Sequence, residues 1–305
     1  MSALFISDLR KKYDNGFLAL NDINLSIDYG DFYAILGKNG AGKSTIINII
    51  VSLIKKTSGK VFISGVNLDD NSIFIKSLIG VVPQDVNFNQ FESVSDIVFN
   101  QAGFYGFSRS FIFDRVKSLL SFFELWDKRN TISFNLSGGM KRRLMLVRAL
   151  IHNPDILILD EPTAGVDIFS RKVILNFLME LNKLGKTIIL TTHYMGDVET
   201  LCNKIAVINK GAILKELAMK DLHFFNLDKF FTIKVCSVDK LLSFNRFKIS
   251  ILDKNTIDLH LSNNDSLNEF LYFLMSNNIN IFSISMRNNP LEDFFLNSVI
   301  NDKNV

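Results

Sequence analysis

Apolar and polar residues alternate in some parts of the chain and form short, uninterrupted apolar runs in others. Alternation predicts strands with one buried face, whereas apolar runs predict strands that are covered on both faces. In the first 86 residues, strands are predicted at 4–10, 18–27, 31–37, 59–65 and 79–84. A helix is predicted at about 43–53, directly after the third of these strands.

The spacing becomes helical between about residues 87 and 136. Apolar side chains recur there three or four positions apart, as in the run from Phe111 to Leu125, which predicts a helical insert. The alternation of strands and helices then resumes, with strands at 155–162 and 186–193 and a helix at about 170–184. A strand-turn-strand follows at 204–214, with Gly211 at the turn. This order of elements predicts an α/β fold.

A different pattern begins after about residue 222. Strands are predicted at 230–235, 247–253, 256–262 and 279–286, and a final helix at 291–300. Between the third and fourth of these strands, Ser266 and Glu269 form a predicted capping box at the start of an apolar helical stripe. This part of the chain is therefore expected to be a small α+β domain.

Length and composition fit two domains of unequal size, since the chain has 305 residues and 48% of them are hydrophobic. We expect a large domain over 1–222, with a helical subdomain at about 87–136, and a small domain over 223–305. Cys202 and Cys236 lie far apart without metal-ligand spacing, and they are expected to be free, reduced core thiols. No His/Cys cluster in the sequence indicates a structural metal.

Charge and hydropathy limit the expected partners. A formal net charge of +3 without a dense Lys/Arg block gives no support for nucleic-acid binding. The 28 phenylalanines are unusual, but a membrane-spanning helix needs a run of about 18 or more apolar residues. The richest run, 46–54, is short and interrupted by Asn48 and Ser52. The first residues also lack a signal-peptide layout, so a cytoplasmic protein is expected.

The segment GKNGAGKST matches G-x-x-x-x-G-K-[ST] and lies between a predicted strand and a predicted helix. Its glycines allow backbone N–H groups to surround phosphate oxygens, and the helix N-terminus adds partial positive charge. Lys43 is expected to reach the β- and γ-phosphates, and Ser44 to bind Mg²⁺. The predicted phosphate-binding residues are Gly37, Lys38, Asn39, Gly40, Ala41, Gly42, Lys43, Ser44 and Thr45.

Two acidic residues end the apolar strand ILILDEP. Asp160 is expected to hold Mg²⁺ through water, and Glu161 to polarise or orient the attacking water. Together with the glycine-rich loop, this pair predicts binding of ATP or GTP. Kinases, small GTPases, helicases and transport ATPases all share these two features, so they do not choose among those classes.

A second glycine-containing helix start occurs in the segment LSGGM. Ser137, Gly138 and Gly139 offer a hydroxyl group, backbone N–H groups and the positive end of a helix, which together suit an anion. The segment has neither a P-loop lysine nor a general base. Because a second γ-phosphate cradle is redundant within one monomer, we expect it to close on the ATP held by another copy of the chain.

In these motifs the chain resembles the ATP-binding cassette (ABC) family, whose signature LSGGQ is close to LSGGM. The resemblance covers about residues 4–220 and implies a P-loop, RecA-like cassette with an antiparallel β subdomain and a helical subdomain. It also implies that Tyr13 stacks on adenine and that Gln84 touches Mg²⁺ and senses the γ-phosphate. Asp167 corresponds to the D-loop aspartate, and His193 to the switch histidine that contacts the γ-phosphate.

Several segments, among them NQAGFYG, LSGGMKRRL and DEPTAGVD, are similar to ATP-binding subunits of the second exporter class. That class includes drug, polysaccharide and nodulation-factor exporters, and the similarity is greatest to the YadG-like bacterial group. Two departures from the family pattern occur. Met140 replaces the signature glutamine, and Gly196 and Asp197 replace the usual acidic residues after the switch histidine. The second departure is expected to alter a contact at a dimer edge.

The resemblance implies an ATPase subunit of an exporter. Two copies are expected to close head to tail around two ATP molecules with Mg²⁺, and to drive a separate multi-span permease from the inner face of the cell membrane. A non-transport cassette ATPase is disfavoured because the chain has one cassette and no long coiled coil between its motifs. A P-loop phosphotransferase is disfavoured by the signature and the D-loop.

The remaining features carry weaker expectations. The permease is expected to dock on the face around 88–105, while Arg142 and Arg143 are expected to be solvated helix residues. The C-terminal domain is expected to regulate activity, to add dimer contacts or to act as a structural cap. Structural roles are expected for His152, His223 and His260.

Overall fold

The computed structural model describes residues 2–224, 229–236, 238, 247–262, 265–286, 291, 292, 294, 295 and 298. The chain divides into two compact units, residues 1–219 and residues 220–305. The first unit contains all of the predicted nucleotide-binding residues.

A mostly parallel sheet forms the centre of the first unit. Its strands are β3 (Phe32–Leu36), β6 (Ile79–Val82), β7 (Ile156–Asp160), β8 (Thr187–Thr192), β9 (Lys204–Asn209) and β10 (Ala212–Ala218). Their order is β10-β9-β3-β8-β7-β6, and only the β10–β9 pair is antiparallel within this sheet. Every side chain of β3, β7 and β8 is buried, as their uninterrupted apolar runs predict.

An antiparallel sheet packs against this centre. It consists of β1 (Ser2–Lys12), β2 (Leu18–Asp28), β4 (Ser58–Ile63) and β5 (Val66–Asn67), in the order β2-β1-β4-β5. Along the second half of β2, Ile23, Leu25 and Ile27 are buried and the residues between them are exposed. These side chains share one core cluster with β3, so the alternating pattern faces the central sheet.

The described helices of the first unit pack on the strands or form the predicted helical insert. They are α1 (Lys43–Ile50), α2 (Ser72–Leu78), α3 (Val94–Phe104), α4 (Arg109–Phe122), α5 (Gly138–Leu150), α6 (Ile168–Lys183) and α7 (Met195–Leu201). The 3₁₀ turns are Trp126–Lys128, Ser133–Asn135 and Met219–Phe224. The sequence pattern predicted neither α2 nor α7, because each spans only seven residues and shows little periodicity.

Side-chain caps fix the starts of the longer helices. Ser93, Ser108, Ser137 and Asp167 each accept a hydrogen bond from a backbone N–H in the first turn of α3, α4, α5 and α6 respectively. The predicted helix at 43–53 is shorter than expected. It ends at Ile50 because Ser52 takes a left-handed backbone conformation, with φ of 60°.

Two expectations about side chains are wrong. Arg142 and Arg143 are buried, because their guanidinium groups donate to the backbone oxygens of Pro83 and Phe123, each at 2.8 Å. Cys202 lies in the core, but Cys236 is exposed, and both are free thiols. No helix in the described part of the chain is both long and apolar enough to cross a membrane.

The second unit is a four-stranded antiparallel sheet with one described helix. Its elements are β11 (Lys229–Val235), β12 (Lys248–Ile251), β13 (Thr256–Leu261), α8 (Leu267–Ser276) and β14 (Ile281–Met286), and the strand order is β12-β13-β11-β14. Phe270 and Leu274 of α8 pack into its core, as the apolar stripe predicts. The prediction that the Ser266 side chain caps this helix is wrong, because it makes no capping hydrogen bond.

One predicted strand of the second unit is shorter in the structure, and one predicted helix is only partly described. The strand expected at 247–253 ends at Ile251, because the backbone turns where Leu252 and Asp253 both donate to the Thr256 oxygen. The final helix expected at 291–300 lies only partly within the described residues.

Candidate nucleotide-binding site

The loop between β3 and α1 has the backbone geometry that the glycine motif predicts. Gly40 and Gly42 have φ of 80° and 112°, a region that favours glycine. A Cβ at Gly42 would lie 2.9 Å from Cδ2 of Leu20, and one at Gly37 would lie 2.6 Å from the oxygen of Ile208. Both glycines are therefore needed to pack the loop tightly against neighbouring strands, with the N-terminus of α1 behind it.

Lys43 lies at the start of α1 and is buried. Its Nζ donates to the backbone oxygens of Gly37, at 2.7 Å, and Lys38, at 3.2 Å. Burial lowers the pKa of this ammonium group, and the negative charges of Glu161 and Asp160 oppose that shift. The loop therefore holds a desolvated cation whose present partners are neutral carbonyl groups, an arrangement that suits a phosphate oxygen.

Asp160 ends β7 inside the site and is buried. One carboxylate oxygen accepts from the Ser44 hydroxyl at 2.9 Å, and the other accepts from the Thr191 hydroxyl. A hydroxyl and a carboxylate side by side are hard oxygen donors, which is what Mg²⁺ prefers when phosphates and water complete its shell. The residues present therefore fit a magnesium ion bound together with a nucleotide.

Glu161 and His193 follow adjacent parallel strands, β7 and β8. Their side chains meet, with 3.2 Å between Nδ1 of His193 and Oε1 of Glu161. Glu161 has a positive φ of 48°, and its backbone N–H donates to the Thr191 oxygen at 3.0 Å. This hydrogen bond holds a turn that aims the carboxylate at the site, where the glutamate is buried and the histidine is half exposed.

The glycine-rich loop, Lys43, Ser44 and Glu161 line a cavity of about 460 Å³. The cavity is lined by Tyr13, Phe17, Ala19, Asn39, Gly40, Gly42, Lys43, Ser44, Thr45, Gln84 and Glu161. Phe17 and Ala19 were missed by sequence reasoning. The signal for Phe17 was the turn at Gly16, which brings its ring back over Tyr13, with stacked rings 6.5 Å apart at an interplanar angle of 17°.

Other predicted residues support the cavity from behind or lie elsewhere. The backbone oxygens of Gly37 and Lys38 accept from the Lys43 ammonium group, and Ala41 is a buried residue of the same loop. Asp160 contacts Ser44, and His193 contacts Glu161. Neither the signature residues nor Asp167 line this cavity. The structure thus separates the sequence-predicted site into two parts.

The second part joins the signature to the D-loop of the same chain. The Ser137 hydroxyl accepts from the Met140 N–H at 3.2 Å and caps α5, with Ser137 and Gly138 exposed. A Cβ at Gly139 would lie 2.6 Å from Oγ of Ser170 and 3.0 Å from Oδ2 of Asp167. Asp167 accepts from the Ser170 N–H at 2.9 Å, and that hydrogen bond lowers the pKa of its carboxyl group.

A glycine-rich phosphate loop, a buried strand-end acid and a neighbouring glutamate form the site of a P-loop nucleotide-binding protein. The chain matches the family model described as ABC transporter over residues 20–164. It is 37% identical over 219 residues to the Nod factor export ATP-binding protein I of Cupriavidus pinatubonensis, covering 72% of this chain and 67% of that protein. The protein of the same description from Rhizobium etli is 37% identical over 222 residues, covering 73% and 70%.

Solved structures agree with this assignment. The cbiO1 subunit from Clostridium perfringens, part of the ABC transporter complex cbiONQ, has a TM-score of 0.66 and 31% identity, covering 73% of this chain and 91% of that one. The cassette MJ0796, in a dimeric post-hydrolysis state with ADP and Pi, has a TM-score of 0.65 and 29% identity, covering 71% and 98%. The chain belongs to the ABC transporter family. It is an ATP-binding subunit and an ABC-type ATPase, which confirms the expected fold class and enzyme class.

Proposed function

We propose that this chain is the ATP-hydrolysing subunit of an exporter and that it works as a homodimer. The observation that carries the proposal is the separation of its two anion sites. Ser137, Gly138 and Gly139 do not line the cavity around Lys43. Ser137 and Gly138 are exposed, and Gly139 is buried beside the D-loop of the same chain. A second copy arranged head to tail would bring its Ser137–Gly139 segment over each ATP.

Export, rather than import, is supported by the relatives. The proteins from Cupriavidus pinatubonensis and Rhizobium etli are described as Nod factor export ATP-binding proteins. Membership of the YadG-like group is part of the proposal. We assign the cassette to 1–222, its helical subdomain to about 87–136 and the small α+β domain to 223–305.

In the proposed site, the chain's own residues bind the nucleotide and orient a water molecule. Tyr13 stacks on the adenine, and Lys43 turns from its backbone partners to the phosphates. Ser44, Asp160 and Gln84 would hold Mg²⁺, which neutralises phosphate charge when it is bound. Glu161 accepts the proton of the attacking water, and His193 holds the glutamate and faces the γ-phosphate.

A groove between the helical subdomain and the rest of the first unit suits a permease. One cavity of about 310 Å³ and a neighbouring one of about 670 Å³ share Asn87, Gln101 and Arg148 in their walls. Phe104, at the end of α3, lines the larger cavity and is 86% exposed. This groove includes much of the 88–105 face, and binding a multi-span partner there would put the subunit on the inner face of the membrane. The proposal includes no nucleic-acid partner, because the formal net charge of the chain is only +3.

Co-purification tests the proposal. A tagged Glu161→Gln chain, expressed in the native host, is solubilised with mild detergent and ATP. A multi-span membrane protein should co-purify in near-equal amount. Phe104→Asp in the same background should reduce that recovery, whereas Leu184→Asp, at a residue 79% exposed after α6, should not. If the tagged chain is recovered only from the soluble fraction, the transport role is contradicted. If both aspartate variants recover the membrane protein equally, the docking groove is contradicted.

A further inference from the structure

Asp197 is a buried carboxylate outside the nucleotide cavity. It lies on α7 and is 2% exposed. One oxygen accepts from the Thr163 hydroxyl at 2.7 Å, and the other accepts from Nε and Nη2 of Arg171 at 3.0 and 2.8 Å. A buried carboxylate is costly without such partners, so these bonds are needed to keep Asp197 inside the protein. They also join three segments, namely the loop after β7, α6 and α7.

This network is joined to the pair Glu161 and His193 through short stretches of chain and through Tyr194. Thr163 follows Glu161 by two residues, and Asp197 follows His193 by four. Arg171 also lies over the ring of Tyr194, 4.7 Å from its centroid, and that ring lies 4.3 Å from the imidazole of His193. The network therefore braces both backbone segments that set the 3.2 Å contact between the glutamate and the histidine.

The contacts of Asp197 lie within its own chain. The altered contact at a dimer edge stays a prediction for the departure at Gly196 and Asp197, while the Asp197 side chain itself points into its own protomer. Gly196 is exposed, and the network does not use it. The Asp197 side chain thus joins segments of its own chain, and its contacts require no second copy.

We infer that Asp197 is a positioning residue for ATP hydrolysis, which acts with Thr163 and Arg171 to hold His193 against Glu161. The inference rests on the proposed roles of Glu161 and His193. Asp197 touches neither, and it works by fixing the backbone on which each side chain stands. Its loss should therefore lower the rate of hydrolysis while the phosphate loop, Lys43 and Tyr13 still bind ATP.

The test separates rate from binding. Asp197→Asn keeps the size of the side chain but removes its charge, and we expect kcat to fall by about tenfold or more, as for other supporting contacts of a reacting group. The Kd for a fluorescent ATP analogue should stay within about twofold, because the binding residues are unchanged. Asp155→Asn, which breaks an exposed ion pair with Lys186, is the matched control and should change neither value.

A second pair of variants keeps the test decisive if Asp197→Asn does not fold. Thr163→Val removes only the hydroxyl that donates to Asp197, and Thr163→Ser keeps it. We expect kcat to fall with valine and to recover with serine. In single-turnover measurements, Thr163→Val should add little to the loss caused by His193→Ala, since both variants remove the same contact between His193 and Glu161.

The outcomes distinguish this inference from the proposed catalytic roles. Wild-type rates in both Glu161→Gln and His193→Ala would contradict those roles. A loss in these two variants but wild-type rates in Asp197→Asn and Thr163→Val would overturn the positioning role alone. Equal losses of kcat and ATP binding, or a Thr163→Val effect that multiplies fully with His193→Ala, would show a merely structural network and would also overturn it.

Discussion

Nδ1 of His193 lies 3.2 Å from Oε1 of Glu161, and this contact joins the ends of two neighbouring parallel strands. Parallel strands place their carboxyl ends at one edge of a sheet, so residues 32 positions apart in sequence, on either side of α6, meet there. The glutamate is buried and the histidine half exposed. One side of the pair is therefore shielded by the protein, while the other can meet a ligand.

Replacement of Glu161 by Gln should separate binding from hydrolysis. The amide keeps the size of the side chain but cannot take a proton from water, so we expect kcat to fall by about 100-fold or more. ATP binding should be retained because Lys43 and the loop are unchanged. Phosphate release and titration with a fluorescent ATP analogue measure the two effects. Glu180→Gln, at an exposed position of α6, is the control, and a rate within threefold of wild type in Glu161→Gln would rule out the proton-accepting role.

The central architecture was predictable from the sequence because its signals are local. Apolar runs mark the buried strands β3, β7 and β8, and the P-loop pattern has fixed spacing between a strand and a helix. Lys43, Ser44 and Asp160 could thus be assigned in advance to a common region. They lie together because Lys43 and Ser44 begin the helix after β3 and Asp160 ends β7, in the same mostly parallel sheet.

Other features were not predictable because they depend on contacts between distant residues. Arg142 looks like a surface residue of α5, yet it reaches Pro83, 59 positions earlier, and is buried by that contact. Asp197 looks like one more polar residue after the switch histidine, but its partners are 26 and 34 positions away. No period or motif encodes such pairs, since they form only when the sheet brings the segments together.

Ser44→Ala should raise the Mg²⁺ concentration that hydrolysis requires. The Ser44 hydroxyl donates to Asp160 at 2.9 Å, and its loss removes one oxygen donor and frees the carboxylate. We expect the half-maximal Mg²⁺ concentration to rise by about tenfold or more. ATPase rates against free Mg²⁺ measure this, with Ser77→Ala on the exposed face of α2 as the control. An unchanged Mg²⁺ dependence would remove Ser44 from the metal site.

Tyr13→Ala should weaken nucleotide binding without abolishing it. The Tyr13 ring lies at the mouth of the cavity, stacks with Phe17 and is 37% exposed. Stacking of a base on an aromatic ring contributes roughly 1–3 kcal/mol, so we expect Kd for ATP to rise by about fivefold or more. The same loss should occur with GTP, because stacking tolerates any base. Tyr29→Ala, at another exposed tyrosine, is the comparison, and equal Kd values in both variants would contradict the adenine contact.

His152 should make stability depend on pH below neutrality. Its ring stacks on Tyr105 with centroids 3.8 Å apart, and Nε2 lies 3.1 Å from the oxygen of Ile79. Burial lowers the pKa of His152 to about 4, against the raising effect of the Ile79 carbonyl, and Arg115 lowers it slightly further. The folded state therefore favours the neutral ring. The stability that this provides is fully present above the unfolded pKa of about 6.5 and is lost as the pH falls towards 4.

His152→Phe keeps an aromatic ring beside Tyr105 but cannot titrate. Between pH 6.5 and 4, the free energy of unfolding of the wild-type chain should fall more steeply than that of the variant, by on the order of 1 kcal/mol once the shift is discounted for the ring's solvent contact. Urea unfolding at several pH values measures the two slopes, and NMR titration of the His152 ring measures its pKa directly. Parallel slopes, or a ring that titrates near 6.5, would mean that burial against Tyr105 does not favour the neutral imidazole.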